Sequence, residues 1–406
     1  MALEIALRQI VEAIACAVDL VGVDDLLHAR RVSIMAVECA KQLHWDNRMI
    51  NILFEAALLH DCGVSTTQER GHLVNELDWS GVDIHCEKGY DLLKGYRPLS
   101  HLAPILRYHH THWNKLQQLD LPNETALIAN LIYLADRVDI TAAPHYSNNS
   151  LIDSVEDIRN VFAQYRDTFF APEILDAFLA ASRGEAFWYL IEPDFIPHYL
   201  AEMKTRSEGN IIGLEELRGF ANIIAQIVDA KSSYTNDQSQ GVGRLTRYLA
   251  EKSGIKGERL ELLEISALLH DIGKLQLPDE LLESPNGLSH SERLRMKKHS
   301  FATYQILKNV EGVGNLALWA AQHHESLNGK GYPFCKFADE IPLESRILKV
   351  ADVYQALAQN RPYRKSLPRD EIMSILLSMQ ENNEIDSEIV HIVAQNIDEC
   401  DHIAHR

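Results

Sequence analysis

The dipeptide His60-Asp61 sits in ALLHDCG, and 210 residues later the chain repeats it as His270-Asp271 in ALLHDIG. Imidazoles and carboxylates together suit iron or manganese, and a carboxylate can bridge two ions where a lone imidazole cannot. With the two copies in register, more residues of the same kinds line up. His28 stands 32 residues before the first pair, where the second copy has Gln238. His85 in DIHCEKGYDLL follows the first pair and His299 in KKHSFATYQIL the second. Each precedes a double histidine by 24 residues, His109-His110 and His323-His324. LADRVDI then supplies Asp136, and KVADVYQAL supplies Asp352. A single HD pair is ordinarily a solvated or capping pair; the ordered set is what points to metal. Paired ions roughly 3.5–4 Å apart can activate a water and hold the attacking and leaving oxygens of a phosphoryl transfer. Each set therefore reads as a binuclear phosphohydrolase site.

Positioning such sets requires helices. Segments such as RRVSIMAVECAKQLHW, MINILFEAALLHD, TALIANLIYLADRVDI, RLELLEISALLHD and ESRILKVADVYQALAQ repeat apolar residues at three and four, and no long run alternates as a strand does. The expected fold is all-α, with two tandem helical domains related by duplication, since the chemical features recur in one order at nearly equal spacing. The polar run KTRSEGN places the boundary so that residues 1–207 form one domain and 208–406 the other.

A chain of 406 residues allows two self-sufficient cores. A net charge of −19 argues against coating nucleic acid or a membrane surface, and leaves room for a small anionic ligand in a local basic cleft. No apolar run approaches a membrane span of roughly 18 residues and no basic leader opens the chain, so a cytoplasmic protein is expected. The six cysteines are dispersed and read as free thiols. Cys62 and Cys86, beside Asp61 and His85, read first as packing residues and second as lining a site.

The second half resembles an HD-GYP domain, the cyclic dinucleotide phosphodiesterase branch of the HD metal-dependent phosphohydrolases. It carries LLHDIGK, HHESLNGKGYP, EIPLESRILKVADVYQAL and NRPYR. The resemblance implies that His270, Asp271, His299, His323, His324 and Asp352 hold two divalent ions, iron or manganese. It implies a phosphate contact at Lys274, further basic contacts at Arg361 and Arg364, and a GYP loop whose Tyr332 borders the substrate. Its implied reaction opens cyclic di-GMP or 3',3'-cyclic GMP-AMP to a linear 5'-phosphorylated dinucleotide, with Asp271 and Lys274 at the reacting phosphate. The family's first ligand histidine falls on Gln238, a poorer ligand, which weakens the metal position fed by His270 and Asp352. Tyr234 stands where some relatives place a glutamate that supports a third ion, which argues for two.

The first half resembles a plain HD domain. Its ligand set is complete (His28, His60, Asp61, His85, His109, His110 and Asp136), yet Val64 stands in place of the lysine and no GYP loop follows. It is expected to hold metal but lack one phosphate contact. Three roles fit: bracing the second domain, sensing through its metal, or removing the 5'-phosphate of a nucleotide such as the ring-opened product. His112 in HHTHW reads as an extra acid or ligand, or as helix surface. A catalytically weak sensor or binding protein is the alternative for the whole chain, and a homodimer is compatible with its acidic surface.

Overall fold

The computed structural model describes residues 4–21, 27–75, 81–146, 148, 150–206, 210–231, 237–284, 287–360 and 364–406. The expected boundary between residues 207 and 208 lies outside them, as do Tyr234 and Arg361. The described chain is almost entirely helical. One exception is a two-residue antiparallel pairing of Ile5–Ala6 with Ile211–Ile212, too short to carry an apolar alternation that a sequence pattern would reveal. No helix among the described residues is long and apolar enough to cross a membrane.

The chain divides into two compact units. One comprises Ile10–Val64 and Gln68–Asn210; the other comprises Ile211–Arg406 together with the residues through Gln9 and Ser65–Thr67. In the first half the helices that matter for the site are α1 (Leu7–Val18), α2 (His28–Gln42), α3 (Asn47–Leu59), α4 (Thr67–Asn75), α5 (Asp83–Lys94), α6 (Ala103–Tyr108) and α7 (Asn123–Tyr146). Asp46 starts α3 by accepting the Met49 N–H at 2.8 Å, which satisfies a donor that the first helical turn leaves unpaired. Ile50, Leu53, Phe54 and Ala57, spaced at three and four, then face inward and are buried. That face carries α3 through the core, so that the residues just past its end arrive beneath α2 and α7.

In the second half the corresponding elements are α8 (Leu214–Asp229), α9 (Gln238–Lys252), α10 (Glu258–Leu269), α11 (His290–Leu307), α12 (Leu316–Ala321) and α13 (Leu343–Ala358). Ser289 and Glu292 form a reciprocal cap at the start of α11, the Ser289 N–H donating to Glu292 at 2.7 Å. The core gathers Leu245 and Leu249 of α9, Leu263 of α10, and Ile347, Leu348 and Tyr354 of α13. Each of the leucines and isoleucines contributes about 1.5–3 kcal/mol on burial. These contacts hold α9, α10 and α13 together at the end where Gln238, His270 and Asp352 lie.

Two candidate metal centres

Each half places its histidines and aspartates at equivalent points on its helices. His28 and Gln238 open α2 and α9. The HD pairs directly follow α3 and α10, His85 and His299 lie within α5 and α11, the double histidines follow α6 and α12, and Asp136 and Asp352 lie inside α7 and α13. The glycine of each HDxG motif has a definite task. A Cβ on Gly63 would overlap the carbonyl oxygen of His85, and one on Gly273 that of His299. Only glycine lets the turn after the HD pair touch the helix that brings the next histidine.

The side chains converge as ligand sets. In the first half, Asp61, His85, His109 and His110 bring one ligand atom each within 4.8 Å of one another, and so do His28, His60 and Asp136. In the second half, His299, His323 and His324 form one group and His270, His323 and Asp352 another. Each HD aspartate lies between its two groups. Asp61 Oδ2 is 3.7 Å from His28 Nε2 and 3.3 Å from His60 Nε2, while its Oδ1 is 3.6 Å from His85 Nε2. Asp271 repeats this, with Oδ2 3.1 Å from His270 and Oδ1 3.5 Å from His299. A carboxylate so placed can serve two ions at once.

The imidazoles are prepared as ligands by their other nitrogen. His60, His109, His270, His299 and His323 each donate Nδ1–H to the carbonyl three residues earlier, at 2.6–2.8 Å. This fixes the tautomer and leaves the Nε2 lone pair facing the centre. Nε2 of His28, His60, His110 and His270 and Oδ1 of Asp271 are buried without a hydrogen-bond partner. Polar atoms left unpaired at this depth are costly, and a cation would complete them, taking the place of a proton at His28 and His270. The donor set, nitrogen and carboxylate oxygen without thiolate, fits a divalent metal such as iron or manganese.

Electrostatics agree. Burial pushes His109 and His323 down to about 3 and His85 and His299 to about 4, aided by neighbouring imidazoles, so they are neutral near pH 7, as a metal ligand must be. Burial acts on His28 and His270 the same way but is outweighed. Asp136 and Asp139 raise His28 to about 9, and Asp271 and Asp352 raise His270 to about 10. The carboxylates thus attract positive charge at the HD end of each centre.

Around the ligands the two halves differ. In the first, His28 Nδ1–H donates to Asp139 Oδ2 at 2.8 Å, and the Arg31 guanidinium binds the same carboxylate through Nε at 2.6 Å and Nη2 at 2.9 Å. In the second, Gln238 replaces His28, Gly241 stands at the register of Arg31, and Gln355 at that of Asp139. A Cβ on Gly241 would overlap the Gln355 amide, and Gln238 Oε1 is buried without a hydrogen-bond partner. Where the first half has a charged triad, the second has a neutral one. Asp19 and Asp229, also at matched positions, accept the backbone N–H of Ala29 and Ser239 and tie down the first turns of α2 and α9.

The cations also have different origins. Lys274 Nζ donates to Asp271 Oδ2. Val64, at its register in the first half, is buried, but Arg70 of α4 donates Nη1 to Asp61 Oδ2. A cation thus reaches Asp61 from another element. Arg137 holds Asp136 through Nη2 at 2.7 Å. Arg364 donates to the carbonyls of Leu357 (3.0 Å), Lys365 (2.8 Å) and Ala356 (2.7 Å) and so caps the end of α13.

The GYP loop sits against the second centre. Gly331 packs on the backbone of Glu325 and Ser326, where a Cβ would overlap, and the Tyr332 ring lies 4.8 Å from that of His324. The buried Glu325 carboxylate accepts the Phe334 N–H at 2.6 Å and the Lys336 N–H at 2.9 Å, fixing the loop beyond the motif. Cys86 does line the first centre, its Sγ 3.6 Å from His109 Nδ1, and burial holds its thiol well above the usual range. Cys62 is buried, its thiol raised to about 12 by burial and then by Asp61. His112 stacks on Phe169 at 3.7 Å between ring centres.

Comparison with known proteins bears on both halves. HD-domain family models match residues 26–141 and 222–389. The chain is 34% identical over 399 residues to 3'3'-cGAMP-specific phosphodiesterase 1 of Vibrio cholerae, covering 96% of this chain and 91% of that protein. It is 33% identical over 161 residues to the cyclic di-GMP phosphodiesterase response regulator RpfG of Xanthomonas campestris, covering 39% of this chain and 42% of that one. The crystal structure of a cyclic GMP-AMP specific phosphodiesterase of V. cholerae, V-cGAP3, shares the fold, with a TM-score of 0.67 at 21% identity over 97% of this chain and 98% of that one. With an ordered ligand set in each half and a relative matched along almost its whole length, the chain belongs to the HD-type metal-dependent phosphohydrolases, has two HD domains, and is closely related to the HD-GYP cyclic dinucleotide phosphodiesterases.

Proposed function

We infer that the chain is a duplicated protein, with domains 1–207 and 208–406, whose C-terminal centre opens a 3',3'-linked cyclic dinucleotide, cyclic GMP-AMP ahead of cyclic di-GMP. The observation that carries the reaction type is Lys274 on Asp271 Oδ2, a cation beside a carboxylate that faces two ligand groups. The order of substrates is supported by the V. cholerae relative named for 3'3'-cGAMP, which matches both halves, whereas RpfG, named for cyclic di-GMP, matches less than half of the chain. Two divalent ions per centre, iron or manganese, would be held by His270, Asp271 and Asp352 and by Asp271, His299, His323 and His324, with the Gln238 amide oxygen as a further donor. When bound, such ions acidify water and screen phosphate charge.

The protein's own groups do the rest. Lys274 takes a nonbridging phosphate oxygen and offsets the charge that builds on it in the transition state. Tyr332 and the GYP loop, held by Glu325, wall the site and orient the ring. Arg361 adds a phosphate contact, and Arg364 holds the end of α13. A water oxygen bonds to phosphorus, the bond to the 3'-oxygen breaks, that oxygen takes up a proton, and the 5'-phosphate stays on the linear product. The N-terminal centre then removes this terminal phosphate.

The test is product analysis with both cyclic dinucleotides for the wild type, Asp271→Ala and Asp61→Ala. Asp271→Ala should abolish ring opening, and Asp61→Ala should let the 5'-phosphorylated dinucleotide accumulate. Ring opening that survives Asp271→Ala would sink the assignment to the C-terminal centre, and a metal-loaded wild type that opens neither ring would replace it with a binding or sensing role.

A further inference from the structure

Lys274 and Arg70 reach the same point from different places in the chain. In the second half the cation stands three residues past the HD aspartate, in the same turn. In the first half that register belongs to Val64, and the guanidinium comes from α4, nine residues past Asp61. Both cations meet the Oδ2 oxygen of the aspartate, the oxygen that faces the HD histidine. Divalent ions held at this centre would neutralise Asp61 by themselves, so Arg70 is not needed for that.

Charge balance gives Arg70 a task. Arg31, Arg70 and Arg137 are buried around the first centre with Asp19, Asp61, Asp136 and Asp139. The carboxylates and guanidiniums nearly cancel, and two divalent ions would leave a clear surplus of positive charge. An anion completes such a site. Arg31 and Arg137 are committed to Asp139 and Asp136 through two nitrogens each. Arg70 has five N–H donors in a planar fork that matches phosphate oxygens, and Nη1 is the one placed on Asp61.

We propose that Arg70 is the phosphate contact of the N-terminal centre and takes the part that Lys274 plays in the other. The proposal rests on the reading of that centre as a phosphomonoesterase. It also says which phosphate fits. The Arg70 side chain is 4% exposed and that of Lys274 18%. A terminal phosphate, esterified on one side only, reaches a deep cation more readily than a diester with a sugar on each side. In the reaction a water oxygen bonds to phosphorus, the bond to the 5'-oxygen breaks, the alcohol takes the proton, and inorganic phosphate leaves held by Arg70.

The test uses the full chain with the C-terminal centre disabled by Asp271→Ala, loaded with manganese. Bound manganese is measured by elemental analysis, inorganic phosphate binding by calorimetry, and KM and kcat with a 5'-phosphorylated dinucleotide. Arg70→Ala should weaken phosphate binding at least tenfold and raise KM with manganese content unchanged. Val64→Lys added to Arg70→Ala puts a lysine at the register of Lys274 and should recover part of the loss. If Arg70→Ala does not fold, Arg70→Gln, which keeps a donor for Asp61 and loses the charge, makes the same comparison. Unchanged phosphate affinity, or loss of manganese together with phosphate, overturns the proposal; the second outcome would make Arg70 a positioning residue for Asp61. Failure of the Asp271→Ala protein to bind phosphate at all overturns it too. Phosphate binding that depends on Arg70, without release of phosphate from the 5'-phosphorylated dinucleotide, supports the contact and refutes only the phosphomonoesterase reading.

Discussion

At the scale of single residues, the difference between the halves that matters most is the exchange of His28, Arg31 and Asp139 for Gln238, Gly241 and Gln355. A histidine ligand depends on the group that holds its second nitrogen, and His28 has Asp139 at 2.8 Å, itself braced by Arg31. Removing such a partner costs about 10–100-fold in metal affinity. Asp139→Asn should therefore weaken manganese binding by the first centre by about that factor, as read by equilibrium dialysis of Asp271→Ala protein. The converse experiment is sharper. Gln238→His alone gives the second centre an imidazole with no carboxylate to orient it, since Gln355 is neutral and donates its amide to Ala404 O at 3.0 Å. We expect Gln238→His to gain little affinity, and Gln238→His with Gln355→Asp to gain distinctly more. Equal gains from the single and double variants would mean that the shell does not tune the site.

At the scale of elements, the two HDxG glycines fix the distance between helices. Gly273 lets the turn after α10 rest on the His299 carbonyl of α11, so Gly273→Ala must push α11 away and draw His299 off Asp271, now 3.5 Å apart. The expected outcome is loss of metal from the second centre and retention in the first, measured as metal bound per chain; full metal content would show that the helices yield without moving the ligands. Glu325→Gln probes the loop in the same way. An amide keeps one acceptor for Phe334 or Lys336 and brings a donor to the other, leaving a buried group unsatisfied at a cost of about 1–3 kcal/mol. Ring opening should fall while bound metal stays constant. The elements also show how far the sequence can be read. Helices and the grouping of histidines with aspartates were legible because an apolar period of three and four and a repeated spacing are properties of one chain segment at a time. Asp139 was within reach, one turn past Asp136 on the same face, as Arg31 is one turn past His28. Arg70 was not, because no residue type or spacing in α4 says which oxygen its guanidinium will meet. Arg364 makes the same point: its type announces a charge, and only the fold sends that charge to the carbonyls at the end of α13.

At the scale of the whole molecule, two compact units with a metal centre in each predict two separable responses to metal. A ligand that binds only the folded state stabilises by RT ln(1 + [L]/Kd), about 2.7 kcal/mol at a hundredfold excess over Kd. For a unit of about 200 residues, 1 kcal/mol shifts the midpoint by about 2–4 °C, so manganese should raise each unfolding midpoint by about 5–11 °C. Calorimetry of the metal-free chain should show two transitions, both moved upward by manganese. In Asp271→Ala only the N-terminal transition should move, and in Asp61→Ala only the C-terminal one. The two shifts should also differ. The first centre, with its charged shell, should reach its full shift at lower manganese than the second, where Gln238 and its neutral neighbours stand. One transition moved by manganese in both variants would show that the halves unfold as a single cooperative unit, and a metal event in one would then be felt in the other. Two independent shifts would instead mean that each half binds its metal on its own terms.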